Sequence, residues 1–369
     1  MNDNDKIRTA MTGKYSNLLQ FWFARFYREL HRMAVYWLLY AWKPVQKVEE
    51  GYTLIVGVIP SLIPVLYANL NFLQKQELNN LKRLILVFNC PRSQTESSIE
   101  QTLRQSYPNL PFHFVYYNLP QWMALNINNN FPWLHCWLSW SLGISETYTR
   151  HAMLHDVDAL LITPDFIESR YREIRNRGVQ YLCSRYYDAA NGLRMEDKML
   201  HTLELFFDAQ FIKETFRPVD LLNRVYMLNG RNVDFDIFHY AQFKNGTTSL
   251  MPFTENKDLI HPSQMVSQYV MLVNNNKKMP IRVNNILLLP YYYYLGGDSQ
   301  LMENLIEQVK LSGGKRVRLS GKYYDISVLD KTHVEWMKQQ IYILENSSVG
   351  QVRPLVKQYL DLIESALNA

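Results

Sequence analysis

In the stretch Arg150-His151-Ala152-Met153-Leu154-His155-Asp156-Val157-Asp158-Ala159-Leu160-Leu161-Ile162, one apolar run leads into two aspartates and a second run follows. Side chains alternate along a strand, so Asp156 and Asp158 are expected on one side, with Val157 turned away. Two carboxylates held close together repel, and each raises the other's pKa unless a cation intervenes. Hard divalent cations such as Mn²⁺ or Mg²⁺ take carboxylate oxygens and commonly hold substrate phosphates as well. The chemistry offered by this spacing is the binding of a metal-bound diphosphate. The structural alternative is that the pair ends a strand and caps a turn, both favoured places for aspartate.

Other acidic and imidazole groups are candidates of the second rank. Asn229-Gly230 turns the chain, and Asp234 and Asp236 then fall on one side of a short extended segment. A carboxylate acting as general base must reach within ~3 Å of the oxygen it deprotonates; a structural turn is the other reading of this pair. Glu204 and Asp208 stand one helical turn apart, the spacing of a solvated face. His155 abuts the first pair, but alternation turns it to the opposite side, where it would be packed.

Strand–helix alternation must position these groups. Residues 52–59 and 84–88 are continuous apolar runs that predict buried strands, with helices over 66–80, 95–106 and 133–142 and a further strand at 112–117. Runs of this kind imply a mostly parallel sheet covered by helices on both faces. Ligands gather beyond the carboxyl ends of such strands, which here are Pro60-Ser61, Asn89 and Asp156-Val157-Asp158. Further along, a strand is expected at 179–184, a loop at 188–192, a helix over 196–215 and a last strand over 281–294 carrying four consecutive tyrosines. Gly313 to Arg318 reads as a basic loop, and the chain beyond Asp330 as helical.

The segment Leu138 to Glu168 combines a helix ending near Gly143, a strand running to the Asp pair, and Thr163-Pro164-Asp165-Phe166-Ile167-Glu168 opening a new helix. That order resembles the DXD region of GT-A fold glycosyltransferases, in which an acidic pair holds a divalent metal on the diphosphate of a nucleotide sugar. The resemblance spans roughly residues 51–290 in organisation and is specific around 138–168. It implies a GT-A-like α/β catalytic domain over 49–295, preceded by an amphipathic helical segment (1–48) and followed by a helical extension (296–369). It further implies that Asp158 touches the Mn²⁺ or Mg²⁺ directly and that Asp156 lies nearer the ribose. His261, before Pro262, would be the late-segment histidine that completes the metal site in many members; a purely structural histidine is the alternative. Asp236, or else Asp234, would deprotonate the acceptor hydroxyl, although the match there lies in order alone. A UDP-sugar is the expected donor because UDP is the commonest nucleotide in the fold, and the acceptor would be a glycan or a lipid-linked carrier.

Composition narrows the alternatives. With 47% hydrophobic and 20% charged residues the chain is a folded globular protein. Cys90, Cys136 and Cys183 lack the spacing of a zinc site, and an odd set argues for a reducing compartment. No GxGxxG follows the first strand and no GxxxxGK[ST] occurs, which disfavours Rossmann cofactors and P-loop hydrolysis. A net charge of +5 without basic clusters disfavours nucleic acid.

Residues 15–43 place aromatics on one helix face and Arg25, Arg28, Glu29 and Arg32 on the other, too short an apolar run to cross a bilayer. That helix either packs on the catalytic domain or a second subunit, or lies in a membrane interface. The protein is expected in the cytoplasm, either free or peripheral at the inner face of the membrane. An interaction module of the same fold, without catalysis, is the competing function.

Overall fold

The computed structural model describes residues 17–127, 132–187, 199–228, 231–253, 257–273, 285–311, 316–319, 322–325 and 331–368. The helices are α1 (Leu18–Val35), α2 (Ile63–Leu73), α3 (Ile99–Ser106), α4 (Leu119–Ile127), α5 (Pro132–Glu146), α6 (Phe166–Arg177) and α7 (Ala209–Thr215). They continue as α8 (His239–Lys244), α9 (Met265–Val273), α10 (Leu289–Leu295), α11 (Gln300–Leu311), α12 (Lys331–Val349) and α13 (Pro354–Asn368). The strands are β1 (Glu49–Val58), β2 (Leu81–Phe88), β3 (Phe112–Tyr116), β4 (Thr149–Leu154), β5 (Leu160–Leu161), β6 (Tyr181–Cys183) and β7 (Phe206–Asp208). After them come β8 (Arg224–Leu228), β9 (Arg231–Phe235), β10 (Thr248–Leu250), β11 (Leu259–Ile260), β12 (Arg316–Leu319) and β13 (Lys322–Asp325). The chain forms two compact units interleaved in sequence: Met1–Pro60, Leu78–Asp156 and Ile167–Pro252 make the first, and Ser61–Glu77, Val157–Phe166 and Phe253–Ala369 the second.

The first unit is built on a seven-stranded sheet in the order β10-β6-β7-β4-β1-β2-β3. β1 runs parallel to β2 and β4, and β2 to β3, while β7 is antiparallel to β4 and β6. The sheet is thus mixed and mostly parallel, as the apolar strands imply. Tyr52 to Val56 of β1 are all buried, as a central strand covered on both faces requires. α5 lies against β1 and β2, and a Cβ at Gly143 would stand 2.3 Å from Ile55 Cγ2. The glycine marks a close approach to the sheet, so α5 runs on past it to Glu146. Lys213 of α7 donates to the carbonyls of Ser145 (3.1 Å) and Thr147 (2.6 Å), closing the end of α5.

α1 occupies most of the aromatic 15–43 segment and docks in this unit through its charged side. Arg32, 5% exposed, donates to the Leu222 carbonyl at 2.8 Å, and Glu29 pairs with Arg224 at 2.8 Å. Among the described residues no helix is long and apolar enough to cross a membrane.

Two expectations for the first unit are corrected. The described part of 196–215 is not one helix but β7 followed by α7. Phe206 and Phe207 are both fully buried, and adjacent buried side chains on opposite faces suit a strand inside a sheet. Glu204 is not on a solvated face: it is fully buried and accepts from Arg170 Nε at 2.8 Å. Asp208 instead caps α7 by accepting from Phe211 N.

The second unit gathers α2, the antiparallel β5–β11 ladder, α9 to α13 and the β12–β13 hairpin. α10 approaches α2 at Gly296, where a Cβ would meet the Pro64 carbonyl oxygen at 2.0 Å. Tyr291 OH donates to the buried Glu345 at 3.0 Å, and Tyr359 OH to the Leu287 carbonyl at 2.7 Å. The described part of the expected 281–294 strand is helical. Pro290 sits at the start of α10, where a missing N–H is harmless, and Tyr291 and Tyr292 are both buried while Tyr293 and Tyr294 are partly exposed. The 188–192 loop, the Asn229-Gly230 turn and residues 313–315 of the basic stretch lie outside the described residues; Arg316 and Arg318 belong to β12.

Removing one partner of a buried ion pair leaves the other charge without compensation. Arg170→Met is expected to destabilise the protein by about 3–5 kcal/mol. Arg170→Met/Glu204→Gln should recover part of that loss, as measured by urea denaturation midpoints.

Candidate functional site

β4 stops at Leu154, and the His155 amide makes one more sheet hydrogen bond, to Ile55 O at 3.0 Å. Strand alternation therefore does not place the aspartates. A turn at Val157–Asp158 does, and it leads directly into β5. Asp156 is half-buried, whereas Val157 and Asp158 are buried. His155 is packed in the interior, as expected.

The second unit fixes Asp158 through the backbone around it. Leu160 pairs with Ile260 and Leu161 with Leu259 in the β5–β11 ladder, which carries His261, the next residue after β11, back to the turn. His261 Nε2 stands 3.4 Å from Asp158 Oδ1. The Asp158 carbonyl accepts from Tyr292 OH at 2.9 Å, the Ala159 carbonyl from Asn69 Nδ2 at 2.8 Å, and the Leu161 carbonyl from Gln76 Nε2 at 3.2 Å. Just before the partner strand, Asp258 accepts from the Ile162 amide through its carbonyl (2.8 Å) and from Thr163 Oγ1 through its side chain (2.6 Å). Burial, then the Asp158 charge, pushes the Tyr292 phenol far up, so it remains a donor.

Asp156 is joined to this pair by the tripeptide itself, two residues upstream of Asp158. One ligand atom from each of Asp156, Asp158 and His261 lies within 4.8 Å of the others. Two carboxylates and one imidazole so placed can chelate one divalent cation. The three residues singled out as metal ligands in the sequence are thus brought together. Tyr292 was not foreseen in this role: its tyrosine run was legible, but its hydrogen bond to a backbone more than a hundred residues away was not.

In the first unit Pro60, Asn89 and Asp156 each follow the carboxyl end of one of the adjacent parallel strands β1, β2 and β4. Ser61 is exposed, and its carbonyl accepts from Tyr293 OH at 2.8 Å within the second unit. Asp234 lies on β9 opposite Val225 of β8; its side chain lies outside the described residues. Asp236 follows that strand, and its Oδ1 accepts from Asn223 Nδ2 at 2.9 Å and from Ile237 N at 2.8 Å. The chain then turns through Phe238, fully buried with φ 72°, a left-handed conformation uncommon outside glycine. α8 starts at His239, whose Nε2 lies 3.1 Å from Leu200 O.

Cys136, read in the sequence only as one of three scattered cysteines, lies in the field of two of the candidate carboxylates. Burial, then the negative charges of Asp156 and Asp236, pushes the Cys136 thiol of α5 well up. The field of both carboxylates falls on one protonated thiol, although the three residues are far apart in sequence.

No protein-family model matches the chain, and no curated protein sequence matches it. Among solved structures it is similar to S. aureus TarS, at 12% identity and a TM-score of 0.40, covering 85% of this chain and 55% of that one. The chain thus spans little more than half of that protein. The structure of S. aureus TarS 1–349 in complex with UDP gives a TM-score of 0.39 at 12% identity, with 86% and 90% covered. The mannosyltransferase PcManGT from Pyrobaculum calidifontis, in complex with GDP-Man and Mn²⁺, gives 0.37 at 14% identity, with 90% and 94% covered. Likenesses this shallow do not decide the chemistry of this chain.

Burial lowers His239 from 6.5 to about 4, against the opposing pull of the Asp236 charge. The folded state therefore keeps this imidazole neutral where the unfolded chain takes up a proton. Its contribution to stability is present above pH 6.5 and is expected to be lost as the pH falls toward about 4. His239→Gln should flatten that part of the stability profile, measured as urea midpoints across the window.

Proposed function

We propose that this protein is a metal-dependent glycosyltransferase that moves a sugar from a nucleotide-diphosphate donor to an acceptor hydroxyl. The observation that supports this reading most is the meeting of Asp156, Asp158 and His261 at one turn, with Asp156 just beyond the carboxyl end of a central parallel strand. Asp158 and His261 would hold Mn²⁺ or Mg²⁺, with Asp156 as the third ligand or on the ribose. Such a cation, when bound, neutralises charge that develops on the departing diphosphate. Tyr292 and Asn69 keep the Asp158 main chain from shifting when the charge around it changes.

Pro60, Ser61 and Asn89 are proposed to line the nucleotide, because ligands of parallel sheets collect beyond the strand ends. The donor we assign is a UDP-sugar carrying a hexose, and the acceptor a hydroxyl on a glycan or lipid-linked carrier in polysaccharide synthesis. Asp236 is the proposed base and Asp234 the second choice. The hydrogen bonds from Asn223 and the Ile237 amide orient the Asp236 carboxylate and suit it to accept a proton at a fixed place.

The same two hydrogen bonds favour a second reading, in which Asp236 only anchors a turn and the protein is a non-catalytic module of this fold. Calorimetric titration with UDP and with GDP, each with and without Mn²⁺, separates the two. Metal-dependent binding supports the enzyme; no binding of either nucleotide supports the module.

Asp158→Asn should retain the fold and abolish metal-dependent transfer; activity within a factor of about three of the parent, far less than an essential ligand supplies, would refute the metal assignment. Tyr292→Phe should weaken Mn²⁺ binding by about tenfold, the low end for an outer partner, because the lost hydrogen bond holds the Asp158 main chain and not its carboxylate. Asp236→Asn is expected to lower transfer by roughly 10²–10⁴-fold with nucleotide affinity unchanged. Unchanged transfer in both Asp236→Asn and Asp234→Asn would place the base elsewhere.

A further inference from the structure

α1 carries its amphipathic pattern the wrong way round for a helix that packs on a core. The side turned to the first unit carries all the charges of the helix beside Phe21 and Val35, the two apolar residues that it buries. Arg32 is buried against Leu222 and Asp220, Glu29 holds Arg224, Arg25 lies over the Trp22 and Tyr226 rings, and Arg28 over Trp133. The opposite side is an unbroken apolar stripe at spacings of three and four: Leu19, Phe23, Phe26, Leu30, Met33 and, on the 3-10 turn that extends the helix, Trp37. Leu19 is 80% exposed, Met33 73%, Phe23 70% and Phe26 63%. The stripe is about 25 Å long. On α4, where Gln121 donates to the Leu38 carbonyl at 2.7 Å, Leu119 and Met123 are also exposed.

An exposed apolar face of this size marks a docking surface, and its chemistry chooses among occupants. Helix-to-helix pairing with a second copy commonly uses charged residues flanking the stripe to set register and partner. The charged residues of α1 are instead all engaged on its inner side. The outer sector is bounded by Trp22, Tyr27, Trp37 and Tyr40, all exposed, amphipathic rings that favour the boundary between headgroups and acyl chains.

The charge of the chain is also segregated. The first 48 residues contain eight Lys and Arg against three Asp and Glu, whereas the remaining 321 contain thirty-one of each. The whole net charge of +5 therefore resides in the segment that bears the apolar face. We propose that the outer face of α1 docks on an anionic lipid bilayer, lying in the plane of the interface with its aromatic stripe inserted. This goes beyond the assignment of donor and metal and does not depend on it.

The test is co-sedimentation of the full chain with phosphatidylcholine vesicles, with and without phosphatidylglycerol. Light scattering on a sizing column gives the oligomeric state alongside. The parent protein should pellet with the anionic vesicles, less so at high salt as the charge attraction is screened. The triple variant Phe23→Ser/Phe26→Ser/Leu30→Ser changes only exposed side chains, should melt with the parent, and should bind at least about tenfold more weakly. Brominated acyl chains should quench the tryptophan fluorescence of the unmodified protein, a readout that needs no variant. Absence of both pelleting and quenching, or equal binding by the triple variant, overturns the proposal. So does a parent dimer that the triple variant splits while neither form binds vesicles, since the face then belongs to a second copy.

Discussion

The need to pair buried backbone carbonyls where the chain leaves the sheet governs the arrangement around Asp158. Beyond Leu154 the long parallel ladder ends, and only the short β5–β11 ladder follows. A buried carbonyl without a donor is costly. Those of Asp158, Ala159 and Leu161 are met by Tyr292, Asn69 and Gln76, side chains from the two other stretches of the second unit. The outcome is a turn whose main chain is held by hydrogen bonds rather than by regular structure. Such a turn can present a carboxylate beside an imidazole without being pulled out of place by their charges.

The same economy explains several residues that look functional in isolation. Glu204 is an internal counter-ion for Arg170, also accepting from the Ser184 amide at 2.9 Å. His239 is kept neutral by burial. Glu146 is lowered to about 2 by its hydrogen bond to His113, with Lys43 adding to the effect, and the carbonyls on either side of it, of Ser145 and Thr147, receive Lys213. These groups satisfy the interior of the first unit. Asp156, Asp158 and His261 differ in gathering acidic and imidazole donors around a point that a cation can occupy.

Much of this was legible from local pattern. The apolar runs at β1, β2 and β3 announced buried parallel strands, because a strand covered on both faces needs no polar alternation. The break at the Asp pair was visible for the same reason. Failures fell where the local pattern serves two structures equally. The Leu-Phe-Phe stretch before α7 and the tyrosine run of α10 are apolar enough for strand or helix, and tertiary partners decided between them. Burial of Glu204 was hidden because its counter-ion, Arg170, lies 34 residues away.

By itself, the sequence determined the mostly parallel sheet, the aspartate pair beyond one of its strands and the two-sided chemistry of α1, all of which depend on spacing within a few turns or residues. Tertiary structure alone decided that His261 meets Asp158, that Tyr292 holds the turn, that Asp236 is tied to Asn223, and that α1 faces the protein with its charges and the solvent with most of its rings. Each of these joins groups distant along the chain. Such pairing is fixed by how buried donors and charges find partners in three dimensions, a requirement that periodicity along one dimension does not encode.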